Sequence, residues 1–66
     1  MNDLAWMRSE VARIEEEIRS TEDLLQAAEQ VDDVSRVRDL QAELDGLRET
    51  LRTFEEDVER LEREQD

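Results

Sequence analysis

The sequence contains no cysteine, no histidine and no proline, and its only glycine is Gly46. Without Cys and His, a disulfide and a thiolate or imidazole zinc site are both excluded as ways of stabilising so small a chain. The aromatic residues are only Trp6 and Phe54. This scarcity, with abundant Ala, Glu, Leu and Arg, predicts long helices and argues against a sheet.

Lysine is also absent: all nine basic residues are Arg, and 21 acidic residues bring the net charge to -12. A surplus of acid repels nucleic acid and anionic lipid surfaces. No apolar run approaches the roughly 18 to 20 residues of a membrane span, and the N-terminus lacks the basic start and apolar stretch of a signal peptide. We therefore expect no direct nucleic-acid binding, no membrane association and a cytoplasmic location.

Apolar residues recur at alternating spacings of three and four, the a and d positions of a seven-residue repeat. We call these sixteen positions the seam. In the first half of the chain they are Leu4, Met7, Val11, Ile14, Ile18, Thr21, Leu25 and Ala28. In the second half they are Val37, Leu40, Leu44, Leu47, Leu51, Phe54, Val58 and Leu61.

The two repeats do not share one frame, because Val37 occupies an a position two slots early relative to Leu25. Two slots of seven correspond to about 100° around a helix, so one straight helix could not present both stripes to one partner. The break falls at residues 29–36, where Asp32 or Asp33 can cap a following helix. We predict one domain over 1–66, with helix 1 at about 3–30, a turn at about 31–34 and helix 2 at about 35–64.

The two stripes are mirror images of each other along the chain. Facing positions in an antiparallel helix pair must have residue numbers with a constant sum, and every layer here sums to 65, from Ala28 with Val37 to Leu4 with Leu61. The sequence thus predicts an all-α antiparallel two-helix coiled-coil hairpin. Two straight chains lying antiparallel, each helix pairing with the opposite half of its partner, give the same sum, and that domain-swapped dimer stays open at this point.

Charges beside the seam predict different properties for its two sides. At the e positions, the register places Glu15 near Arg48 and Arg8 near Glu55, two pairs of opposite charge. The g positions form an acidic strip with Arg36 as the one basic residue among them: Asp3, Glu10, Glu17, Glu43, Asp57 and Glu64.

The predicted core is small for a free-standing domain, since chains below roughly 70 to 80 residues rarely bury enough apolar surface alone. We expect the hairpin to associate, as a homodimer forming a four-helix bundle or by docking on another protein. Trp6 lies at an outward c position, where its ring either covers Arg13 or the neighbouring helix, or contacts a partner. Leu24, Val31 and Val34 surround the turn and either cover the bundle end or form a binding tip.

No arrangement of residues indicates catalysis. Acid–base chemistry needs two groups held in a cleft with separated pKa values, whereas the carboxylates of 15–17 and 55–57 are consecutive on helices and face different directions. Asp32 and Asp33 lack the spaced oxygen ligands of a calcium loop. We expect no enzyme activity, no cofactor and no metal.

Three functions remain open at this stage. The first is a protein–protein interaction module, a self-associating acidic hairpin that acts as an adaptor or regulatory subunit. The second is an acidic inhibitor that mimics nucleic acid and binds a basic DNA- or RNA-binding protein. The third is a ligand-responsive regulatory hairpin: Glu16-x3-Ser20 and Ser35-x2-Arg38 resemble fragments of the binding pattern of small anti-sigma hairpins, without a complete copy.

Overall fold

The computed structural model describes residues 3–65, which form two helices packed against each other as a hairpin. Helix α1 spans Asp3–Gln30 and helix α2 spans Val34–Gln65, and the described residues contain no strand. The molecule measures about 50 × 14 × 14 Å. The predicted hairpin is confirmed, with α2 beginning at Val34, one residue before the expected start, so the observed turn is shorter by one residue.

Both helices are supported by ion pairs along their own surfaces. Arg13 lies 3.0 Å from Glu10 and 2.7 Å from Glu17, one turn before and one turn after it. Three further ion pairs connect residues three positions apart, as Glu10 and Arg13 are. They are Arg19–Glu16 in α1 and Arg52–Glu49 and Arg60–Asp57 in α2. Exposed pairs at this spacing each stabilise a helix by only about 0.2–0.5 kcal/mol, so they assist helix formation and packing decides it.

The turn closes α1 with a Schellman motif. The backbone N–H of Asp33 donates to the carbonyl of Ala28 at 3.1 Å, and that of Asp32 donates to Glu29 at 3.2 Å. Asp32, which donates the second of these bonds, adopts a left-handed backbone conformation with φ of 56°. Glycine is the usual residue there because it lacks a Cβ, and Asp is one of the few others that tolerate the conformation.

Asp33 takes part both in the end of α1 and in the start of α2. Its side-chain oxygen accepts a hydrogen bond from the backbone N–H of Arg36 at 3.2 Å, and its carbonyl accepts the first helical bond from Val37 at 2.9 Å. Of the two capping residues predicted, Asp33 is therefore the N-cap. This double role explains how a reversal with neither Gly nor Pro takes only three residues.

All sixteen seam side chains face the interior, although to different extents. Six are buried and ten are half-buried, while almost every other described residue is exposed. Of the side chains described, Ile14 is the most covered, with 2% of its surface exposed, and no large one is completely enclosed. The buried six are Leu4, Ile14, Thr21, Ala28, Leu40 and Leu44; the half-buried ten are Met7, Val11, Ile18, Leu25, Val37, Leu47, Leu51, Phe54, Val58 and Leu61.

Candidate interaction surfaces

The two sides of the seam form different surfaces. We call the side lined by e and b positions the e flank and the side lined by g and c positions the g flank. On the e flank, two ion pairs join the helices: Arg48 to Glu22 at 3.1 Å and Arg8 to Glu62 at 3.6 Å. The predicted partners, Glu15 for Arg48 and Glu55 for Arg8, were therefore wrong by one heptad in each pair.

The direction of helical side chains explains the difference. Every Cα–Cβ bond tilts toward the N-terminus of its own helix, so side chains on antiparallel helices lean in opposite directions. Glu22 and Arg48 start about five residues apart along the axis, roughly 7.5 Å, and lean toward each other. Glu15 and Arg48 start almost level and lean apart. Counting facing Cα positions alone therefore selects the wrong partner.

Among residues 3–64, the g flank contains the only half-buried residues outside the seam, Glu10 and Asp57. In the seam register these two carboxylates lie on opposite helices within two residues of the same level, an arrangement that is unfavourable without counter-charges. Arg13 donates two hydrogen bonds to Glu10, at 3.0 and 3.2 Å, and Arg60 lies 3.3 Å from Asp57. Each arginine follows its acid by three residues and occupies a c position. The predicted acidic strip of g positions is therefore interrupted by two positive charges.

Sequence reasoning missed this compensation because it considered the g positions alone. A search for Arg three residues after each g acid would have found Arg13 and Arg60. Their presence reduces the continuous negative charge on which nucleic-acid mimicry would depend. Within the part of the chain that the structure describes, Glu43 and the guanidinium of Arg36 have no ion-pair partner, although both lie on this flank.

The Glu10–Arg13 contact changes the titration of both groups. The hydrogen bonds from Arg13 lower the pKa of the Glu10 carboxyl, partial removal from water opposes them, and the positive charge of Arg13 adds to the lowering. The same hydrogen bonding and charge, with a further contribution from Glu17, raise the pKa of the Arg13 guanidinium. Both groups stay charged at neutral pH, so the flank keeps alternating signs there.

Trp6 lies over the neighbouring helix, one of the two placements that the sequence left open for a ring folded back on the hairpin. Its ring centroid lies 6.1 Å from that of Phe54, with the planes inclined at 60°. This tilted arrangement is a favourable aromatic geometry. Even so, 58% of Trp6 remains exposed, so the contact with Phe54 covers only part of the ring.

The apolar residues around the turn are uncovered. Leu24 is 48% exposed, Val31 74% and Val34 69%, so the hairpin leaves much of the apolar surface at this end exposed. Single exposed apolar residues are common on proteins, but Leu24 and Val31 share the g flank with Trp6. Of the four large exposed apolar side chains that the structure describes, three thus lie on one side.

Gly46 occupies a c position on the same flank, near the middle of α2. A Cβ built there would meet no atom within 4 Å, so packing inside the hairpin does not require glycine. In a helix interior Gly costs about 1 kcal/mol relative to Ala. One turn later, the Thr50 hydroxyl donates a hydrogen bond to the backbone carbonyl of Gly46 at 3.0 Å. The hydroxyl thus has its partner within α2.

Groups of three or more side chains suited to holding a metal ion do not occur among residues 3–65. Neither described helix has an apolar stretch long enough to cross a membrane. The grooves beside the seam are open and lined largely by charged residues, as the one formed by Arg8, Val11, Glu55, Val58, Glu59 and Glu62 illustrates.

Comparison with known proteins gives no relative: no family model, no curated protein and no solved structure matches this chain significantly.

Proposed function

We propose that this chain is a non-enzymatic protein–protein interaction module, a coiled-coil hairpin that self-associates and acts as an adaptor or regulatory subunit. The observation that carries the proposal is the incomplete cover of the seam. Ten of its sixteen side chains stay half-exposed, and four further large apolar residues lie outside it with 48–74% of their surface exposed. Covering this surface in a complex supplies the apolar burial that the single hairpin lacks.

Self-association requires that the charge of -12 on each copy does not prevent contact. Repulsion between exposed charges is screened beyond about 8 Å at physiological salt. The ion pairs on both flanks further reduce the field close to the surface. The association is therefore expected to strengthen as salt rises, whereas binding of a basic partner by a nucleic-acid mimic would weaken. Acidic residues outside the contact remain available to a second protein.

Sedimentation equilibrium tests the proposal directly. We expect a species of twice the chain mass of 7.8 kDa at micromolar concentration, more populated at 500 mM NaCl than at 50 mM. A well-folded monomer at both salt concentrations, with cooperative thermal unfolding, would contradict self-association. A monomer that binds a basic partner only at low salt would instead support the mimic.

A further inference from the structure

The g flank combines features that the hairpin fold itself does not explain. Trp6, Leu24 and Val31 expose apolar surface on this side, and Gly46 weakens α2 there although no neighbouring atom needs the space. On the e flank, by contrast, the exposed apolar residues are alanines, apart from Val34 at the turn. A helix weakened by glycine at an outward position is explained if a second backbone approaches it closely.

We propose that a second copy of this chain covers the g flank, related by a two-fold axis that crosses the hairpin at Gly46, perpendicular to its length. This inference rests on the proposed self-association and specifies its surface. Each helix then lies antiparallel to the same helix of the other copy, and the Gly46 backbones meet at the axis. Such a two-fold contact uses one patch on both copies, so the patch must be complementary to itself.

Self-complementarity holds along α1. Residue 46 lies level with residue 19 in the register that sums to 65, so an axis at Gly46 gives facing α1 residues numbers that sum to 37 or 38. Trp6 of one copy faces Val31 of the other, which covers the exposed ring with apolar surface. The stem of Arg13 faces Leu24. The two g-position acids of α1 inside the overlap face small neutral residues: Glu10 faces Ala27 and Glu17 faces Ser20, so no like charges meet.

The same axis pairs α2 residues with numbers that sum to 92 or 93. Arg36, which has no ion-pair partner within residues 3–65, faces Asp57 of the other copy, a pair of opposite charge. Glu43 faces Thr50, whose hydroxyl already bonds to its own helix. Asp39 faces Thr53, whose hydroxyl likewise donates to Glu49 at 3.1 Å. Each acidic residue within the overlap thus faces a small residue or an arginine.

The area of the overlap is close to that of specific dimers. Gly46 lies about 13 residues from the turn, so the two faces overlap over about 40 Å of the 50 Å length. At a width of 14 Å this overlap covers roughly 560 Å² on each copy, or about 1,100 Å² in total. A biological interface is expected to exceed about 1,000 Å², and the ends of so thin a molecule are much smaller.

A cysteine at the axis tests the surface, because the chain has no cysteine of its own. Gly46→Cys should form an intermolecular disulfide under mild oxidation at least about tenfold faster than Asp45→Cys. Asp45 is the matched control: it is the adjacent residue, at the same height, on the e-flank side. Equal rates, or a faster reaction at position 45, would overturn the g-flank contact.

A second pair of variants separates this inference from the proposed function. Gly46→Arg should strengthen the isolated helix yet raise the dimer dissociation constant by about tenfold or more, because the side chain blocks the approach of the backbones. Asp45→Arg should leave the dissociation constant within about threefold of the native value. If the native chain is dimeric and Gly46→Arg leaves it so, the surface is wrong and self-association stands; if the native chain is monomeric, both fail.

Discussion

The half of the hairpin next to the turn and the half at its open end follow one repeat but are packed differently. In the three layers nearest the turn, four of six seam side chains are buried: Thr21, Ala28, Leu40 and Leu44. In the five layers beyond them, only Leu4 and Ile14 of ten reach that level. The turn half places the small residues Ala28 and Thr21 opposite larger ones, which lets the helices approach closely. The repeat is the same in both halves, and the smaller residues of the turn half accompany the greater burial there.

Leucine truncation in each half is the strongest test of this difference. Leu44 and Leu51 both occupy a positions of α2, but Leu44 is 3% exposed while Leu51 is half-buried. We expect Leu44→Ala to lower the free energy of unfolding by about 2–4 kcal/mol and Leu51→Ala by about half as much, because less surface is lost.

Urea unfolding followed by circular dichroism, at one fixed protein concentration, measures both variants. Failure of Leu44→Ala to fold while Leu51→Ala folds would preserve the ranking. Equal losses would show that the two halves contribute alike, and the contrast in burial would then have no energetic meaning.

The helix cap at the turn is the next largest effect. Asp33→Ala removes the acceptor for the backbone N–H of Arg36 and should destabilise the hairpin by about 1 kcal/mol. Asp33→Asn is the control, since its amide oxygen can accept the same bond. If the two variants lose equal stability, the hydrogen bond from Arg36 is not the source of the effect.

A smaller and opposite effect is expected one residue earlier. Asp32→Gly should stabilise the hairpin by about 0.5 kcal/mol, because glycine adopts the left-handed conformation without a Cβ penalty, while its freedom in the unfolded chain offsets part of the gain. Asp32→Ala retains the Cβ and should not stabilise. Both variants lose the negative charge of Asp32, but only the glycine variant relieves the strain of the left-handed conformation. Comparing their thermal unfolding therefore separates these two effects.

At the open half, the Glu10–Arg13 contact should appear in titration more clearly than in stability. NMR should give a Glu10 pKa below the ordinary value, and Arg13→Gln should raise it. Arg19→Gln, which removes a similar partner from Glu16, should leave Glu10 unchanged. Because the folded-state pKa is lowered, the stability that Glu10 contributes to the folded state is complete above its unfolded-state pKa. This stability is lost as pH falls through the folded-state pKa. An unchanged Glu10 pKa in Arg13→Gln would contradict this account.

Sequence periodicity was sufficient to predict two helices and the seam residues that pack between them. The mirrored stripes and the carboxylates at 32 and 33 locate the reversal, because apolar spacing and helix caps are local properties. The e-flank partners could not be derived from positions alone, since they depend on the opposite tilt of side chains on antiparallel helices. The contact between Trp6 and Phe54 depends on where a long side chain turns, which the heptad letter c does not specify.

The shared residue at the reversal also limits how this molecule can change in length. Because Asp33 closes one helix and opens the next, no spacer separates the two hydrogen-bond ladders. One residue inserted there would change the constant sum to 66 and rotate one stripe by about 100° away from the other. Additions of seven residues at each open end would leave every existing layer in place. The molecule can therefore be lengthened by whole heptads added equally to both helices, and not by a residue inserted at the reversal.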